Sequence, residues 1–274
     1  MNGRPSTLTA YRWELRKLGS QKRTYIGIGS AGLLPVVFVV VMALQKGGPY
    51  DAPLGHNLRR TGVALALVVL TFASRFGAQL VTALVAGDIV ASEDSGYTLK
   101  MILTRSLTRA QILGGKALAT FTYVLALLLA LLAGGLISGL IAWGYNPVMN
   151  LSLTRISATH ALGLSFAALA VFAMPLIGVA AFAIFLSVVT RNSAAAIVGA
   201  LVYALVQEAL AGLVHLDFFT HYLLSDQFDG WHGLFDSPTN WTPIVRALWV
   251  SAIFVAVPLG ASFVFFLRRD VAGE

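Results

Sequence analysis

Two side chains draw attention because they are ionisable inside apolar sequence. Arg75 lies within the run Gly62–Ala86, and Glu208 within the run Ala194–Val214. Ionisable groups at membrane depth are costly, and they mark a pathway or a partner by default. At helical spacing Thr71, Arg75, Gln79 and Thr82 share one face, and Gln207 stands beside Glu208. A helical rise of about 1.5 Å per residue puts Arg75 about 15 Å, and Glu208 about 21 Å, from the inner ends of their runs. A long arginine covers that difference. The expectation is a polar stripe of Thr71, Arg75, Gln79, Gln207 and Glu208 that faces a substrate pathway. The competing reading is an ion pair that only locks two helices together.

Other chemistry has less support. The chain has no cysteine, which excludes disulfides and thiolate metal sites. His56, His160, His215, His221 and His232, with Asp217, Asp226, Asp229 and Asp236, show no His-x3-His or His-Glu-x-x-His spacing, so no metal site is expected. Gly114-Gly115-Lys116-Ala117 lacks the leading glycine and the following hydroxyl of a phosphate loop. No catalytic residue and no cofactor site is therefore assigned to this chain.

The elements that would position the polar stripe are set by hydropathy. The 274 residues are 57% hydrophobic and 11% charged, with a mean hydropathy of +0.79. A soluble domain carries about 25% charged residues, so an ordinary soluble enzyme and a disordered chain are both excluded. Six apolar runs are long enough to cross a bilayer: 26–44, 62–86, 117–143, 161–189, 194–214 and 245–267. The fold class expected is all-α, a single polytopic transmembrane domain over 1–274. Loops on the side of the termini hold 13 Lys and Arg against five on the other side, and the one remaining, Arg75, lies in a span. Basic loops stay in the cytoplasm. Both termini are therefore placed there, in a multi-pass protein of the plasma membrane, and the net charge of +7 is read as topology and not as nucleic-acid binding.

Residues 6–24 read as an amphipathic interfacial helix with Leu8, Tyr11, Leu15 and Leu18 on its apolar stripe. Thr190-Arg191-Asn192-Ser193 reads as a tight hairpin with Asn192 or Ser193 as the cap. Gly135-x3-Gly139 and Ala195-x3-Gly199 permit close helix packing. Residues 215–244 hold seven aromatics, four Asp and no Lys or Arg, and are expected to form short helices that dip part-way into the outer leaflet.

The inner loop, 87–116, is the longest polar connection on its side. Gly96 interrupts one segment, and Tyr97–Thr104 makes a short amphipathic helix with Leu99, Ile102 and Leu103 on one face. Arg105 and Ser106 form a turn, and Thr108 with Gln111 fits a capping box that starts the next helix. A short helix held between two membrane helices can pass motion from a docked partner into both.

This loop resembles the permease of ABC type-2 exporters, through Glu93, Gly96, Thr98, Leu99, Leu103, Thr108, Arg109, Gly115 and Lys116. Tyr97 separates Gly96 from Thr98, which usually adjoin in the family. The resemblance covers the whole chain, including the entry helix, six spans and the long outer connection before the last span. It implies an exporter of a hydrophobic or amphiphilic substrate such as a drug, antibiotic, peptide or lipid. ATP and Mg would act on two copies of a separate ATPase subunit, and a second permease copy would complete a dimer, expected to be a homodimer. The 97–104 helix would couple to the ATPase through Glu93, Gly96, Tyr97, Thr98, Leu99, Ile102, Leu103 and Arg105, with lesser contacts at Arg191. Spans two and five would line the pathway. An ion-coupled secondary transporter and an intramembrane enzyme are the rival classes.

Overall fold

The computed structural model describes residues 6–45, 54–95, 107–213 and 217–268. The helices are α1 (Thr7–Gly19), α2 (Lys22–Leu44), α3 (Gly62–Arg75), α4 (Gly77–Ser95), α5 (Arg109–Trp143), α6 (Ala158–Thr190), α7 (Ser193–Leu213), α8 (Asp217–Thr220) and α9 (Trp241–Arg268). A two-residue hairpin, β1 (Val148–Met149) and β2 (Arg155–Ile156), and a 3-10 segment, Asp226–Phe235, complete the described elements.

Five of these helices are long and apolar enough to cross a membrane, or six if the bent pair α3–α4 is counted as one span. The chain is thus an all-α, multi-pass membrane protein. Its apolar side chains are widely exposed along α2, α7 and α9, as expected where the surroundings are hydrocarbon. Pro35, Pro175 and Pro258 lie within α2, α6 and α9, and each helix continues through its proline.

The second span departs from the continuous helix expected over 62–86. α3 and α4 meet at Phe76 with a bend of 48°. No proline is present at the break, which joins the arginine of the polar stripe to Gly77, a poor helix former. α3 itself is the most enclosed helix, with Val63–Leu70 buried throughout.

Helix contacts are closest at small residues. A Cβ on Gly135 would lie 2.8 Å from Ala66 Cα, and one on Gly139 would lie 2.6 Å from Gly62 O. The Gly135-x3-Gly139 pair therefore seats α5 directly on α3 within this chain. Gly199 likewise faces Leu186 of α6.

Hydrogen bonds order the loops at each end. At one end Asn57 Nδ2 donates to Met149 O at 2.7 Å, Thr61 Oγ1 to Asn146 O at 2.9 Å, and Leu151 N to Phe235 O at 3.1 Å. The other end holds α1, the C-terminus of α4, the N-terminus of α5 and the 191–192 hairpin. There Thr108 accepts from Gln111 N at 3.2 Å while Gln111 accepts from Thr108 N at 2.9 Å, which is the capping box. Asn192 Oδ1 accepts from Ala195 N at 3.1 Å and caps α7, with Arg191 left-handed at φ 55°.

α1 does not present the stripe expected of it in full. Ala10, Glu14 and Leu18 are buried, Tyr11 and Leu15 are half-buried, and Leu8 is exposed. The helix is seated on α5, and that protein contact, not lipid, takes most of its apolar face.

Candidate functional site

Two members of the polar stripe, Arg75 and Glu208, meet at the break in the second span. Arg75, at the end of α3, is 3.7 Å from Glu208 of α7 and is ion-paired with Asp229 of the 3-10 segment. Arginine suits this position because its planar fork serves two carboxylates at once. The second carboxylate oxygen of Glu208 is buried without a hydrogen-bond partner among the described residues, so the cluster can accept one more donor. Hydrogen bonds then carry the site into the segment between α7 and α9. Gln207 Oε1 accepts from Leu224 N at 3.1 Å, and Ser225 Oγ donates to Gln207 O at 3.0 Å.

Gln79 and Gln207 line one small cavity with Tyr203, Ser225, Leu224 and Phe228. Thr71 stands apart, its hydroxyl turned back to Leu67 O at 2.9 Å. Thr82 is fully buried. The division falls at the break at Phe76, with Thr71 and Arg75 on α3 and Gln79 and Thr82 on α4.

Asp229 is the member that sequence reasoning missed. It belonged to a segment, 215–244, expected to form short helices that dip part-way into the outer leaflet. The structure forms short helices there and turns Phe228, Trp231 and Phe235 inward, with the Trp231 ring 6.0 Å from Phe172 of α6. This anchors the segment against the bundle and brings Asp229 to Arg75. Asp226 makes a parallel contact, 3.4 Å from Arg246 of α9 and 3.4 Å from His221. Beside them burial holds the His232 imidazole below its ordinary value, and the Asp229 carboxylate opposes that shift. Among the described residues no group of three His, Cys, Asp or Glu could hold a metal ion.

A second charged site lies at the opposite end. Lys116 of α5 is fully buried, 2.8 Å from Glu14 of α1 and 2.7 Å from Glu93 of α4, and it donates to Ile89 O at 3.0 Å. Lys17 pairs with Glu93, and Arg23 with Asp88. Glu93 is therefore turned inward, 4% exposed, where it holds α1, α4 and α5 together. Of the residues expected to contact an ATPase, Gly96, Tyr97, Thr98, Leu99, Ile102, Leu103 and Arg105 lie outside the described residues, and Arg191 is exposed at its hairpin.

The family model described as "Protein of unknown function (DUF2705)" matches residues 50–272. The chain belongs to the DUF2705 family. The matched region takes in Arg75, Glu208 and Asp229 as well as Glu93 and Lys116, whereas Glu14, Lys17 and Arg23 precede it. A relative within reach is the uncharacterised protein YhcI of Bacillus subtilis (strain 168), 29% identical over 215 residues. That match covers 70% of this DUF2705 chain and 64% of YhcI, so the chain spans just under two thirds of its relative.

Proposed function

We propose that this chain is the membrane-spanning permease subunit of an ATP-driven ABC exporter of the type-2 class, with six spans, both termini in the cytoplasm and a hydrophobic or amphiphilic substrate. The observation that carries the reading is the Glu93–Lys116 ion pair. It joins the two helix ends that flank residues 96–106, so work done on that segment by a docked subunit passes into α4 and α5 together. At the break within the second span, the Arg75–Glu208–Asp229 cluster connects the same motion to the outer segment. Hydrolysis of ATP with Mg belongs to a partner ATPase, two copies per pair of permeases, and no catalytic step is assigned to this chain.

Co-purification tests the reading. An ATPase subunit carrying a phosphate loop is expected to copurify with the wild type and to be lost when Leu99 and Leu103 are changed to Asp. Recovery of the protein from native membranes with no such subunit rejects it.

One observation favours a second reading, an ion-coupled secondary transporter. A broken span with ionisable groups beside the break is a feature of that class. Transport by the chain alone in vesicles, abolished by an ionophore and indifferent to ATP, would establish that alternative.

A further inference from the structure

We propose that the outward face of α1, built from Arg12 and Arg16 with Leu8 and Trp13 and extended by Lys22 at the start of α2, binds the headgroups of anionic phospholipids. The inference rests on the placement of α1 at the inner membrane face in the exporter reading, and on nothing concerning nucleotide.

The rotation of α1 about its axis is fixed by packing. A Cβ on Gly115 would lie 2.6 Å from Ala10 Cβ and 2.8 Å from Tyr11 N, so the two helices touch backbone to backbone along this line. The Glu14–Lys116 pair sets the same rotation from the polar side. With Ala10, Glu14 and Leu18 turned to α5, the opposite face has no freedom to turn inward.

The local balance of charge decides what that face meets. Glu14 is the one acidic residue of α1, and it is paired with Lys116. Glu93 is shared by Lys116 and Lys17, and Asp88 is taken by Arg23. Arg12, Arg16 and Lys22 are exposed, and among the described residues none of them has a carboxylate within ion-pair distance. Exposed apolar and aromatic side chains lie in the same stretch of chain: Leu8 is 53% exposed, Trp13 46% and Tyr25 66%. Uncompensated basic groups interleaved with exposed aromatic and apolar ones suit the boundary of an anionic leaflet, where the charges meet phosphate and the rings sit at headgroup depth.

The test uses the full chain in vesicles, without nucleotide or any partner. Because the chain has no cysteine, Ser20→Cys, at the exposed end of α1 and outside the proposed face, carries a donor dye at one position. Energy transfer is measured to acyl-labelled phosphatidylglycerol and to acyl-labelled phosphatidylcholine at equal mole fraction. Phosphatidylglycerol is expected to be enriched at the dye, and raised salt is expected to erase the enrichment. Changing Arg12, Arg16 or Lys22 to Gln should cut it by about fivefold each, the effect of one basic side chain at an anionic surface. Arg12→Lys and Arg16→Lys should retain it. Equal transfer to the two lipids overturns the proposal, as does a preference that survives the triple Gln variant. The salt titration of the unsubstituted face tests the proposal even if a variant folds poorly, and enrichment that is indifferent to salt overturns it. Failure to find an ATPase partner, which would reject the exporter reading, leaves this result untouched.

Discussion

Lys116 shows how a single residue can be forced into an environment its type disfavours. A lysine with no exposure is tolerated only when it is paired and hydrogen-bonded, and here two glutamates and a carbonyl oxygen surround it. Lys116→Met is expected to leave Glu14 and Glu93 short of a partner and to destabilise the protein by about 3–5 kcal/mol. Thermal unfolding in detergent measures this, and adding Glu14→Gln should recover part of the loss. Arg75→Met should act similarly on Glu208 and Asp229. In a double-mutant cycle Arg75 and Asp229 are expected to couple by about 1 kcal/mol or more, since contacting charges are not additive. Glu208→Gln removes a charge but not the shape of the site, so under the exporter proposal export should fall while the protein elutes and assembles normally.

His232 makes a pH-dependent contribution of definite sign. Its imidazole titrates below the ordinary 6.5 in the folded protein because burial penalises the cation. The unfolded chain therefore takes up the proton first as pH falls. Stability from this group is complete above 6.5 and is lost progressively from there down to the lowered folded value. His232→Asn should flatten the dependence of Tm on pH across that interval, measured against the wild type at matched salt.

At the scale of elements, glycine placement governs which helices meet. Gly139→Leu would drive a side chain into Gly62 of α3 and should cost stability by the overpacking mechanism, about 1–3 kcal/mol. Gly77 differs, because a Cβ there would meet nothing within 4 Å. Gly77→Ala should therefore raise Tm slightly, by helix propensity of about 1 kcal/mol at most. If the bend is held by the ion pairs of Arg75, this change leaves the Arg75–Asp229 coupling intact. α1 was legible as a helix from its periodicity, yet its rotation was not. The stripe Leu8, Tyr11, Leu15 and Leu18 is apolar, but the close approach at Gly115 selects Ala10 for the contact and the ion pair with Lys116 selects Glu14. Size and charge pairing, not hydropathy, make that choice.

For the whole molecule, the bundle has one end tied by loop hydrogen bonds and the other by the Lys116 ion pairs. Single-cysteine labelling tests the orientation assigned to these ends. Leu153→Cys should react with an impermeant maleimide in intact cells, whereas Ser20→Cys should react only after permeabilisation. The reverse pattern would invert the topology and remove the exporter reading with it.

The sequence by itself determined the membrane-spanning class, the positions of the apolar runs, the capping box at Thr108, the two candidates Asn192 and Ser193 for the next cap, and Arg75 and Glu208 as the ionisable groups inside apolar runs. These follow from local periodicity, hydropathy and the cost of charge in hydrocarbon, all readable along one dimension. Only the tertiary structure decided the break at Phe76, the arrival of Asp229 beside Arg75 and the burial of Lys116 between Glu14 and Glu93. Asp229 is 154 residues from Arg75 and Lys116 is 102 from Glu14. No spacing rule reaches that far, because such contacts are set by which helices can approach closely enough, and that depends on the fit of side chains in three dimensions.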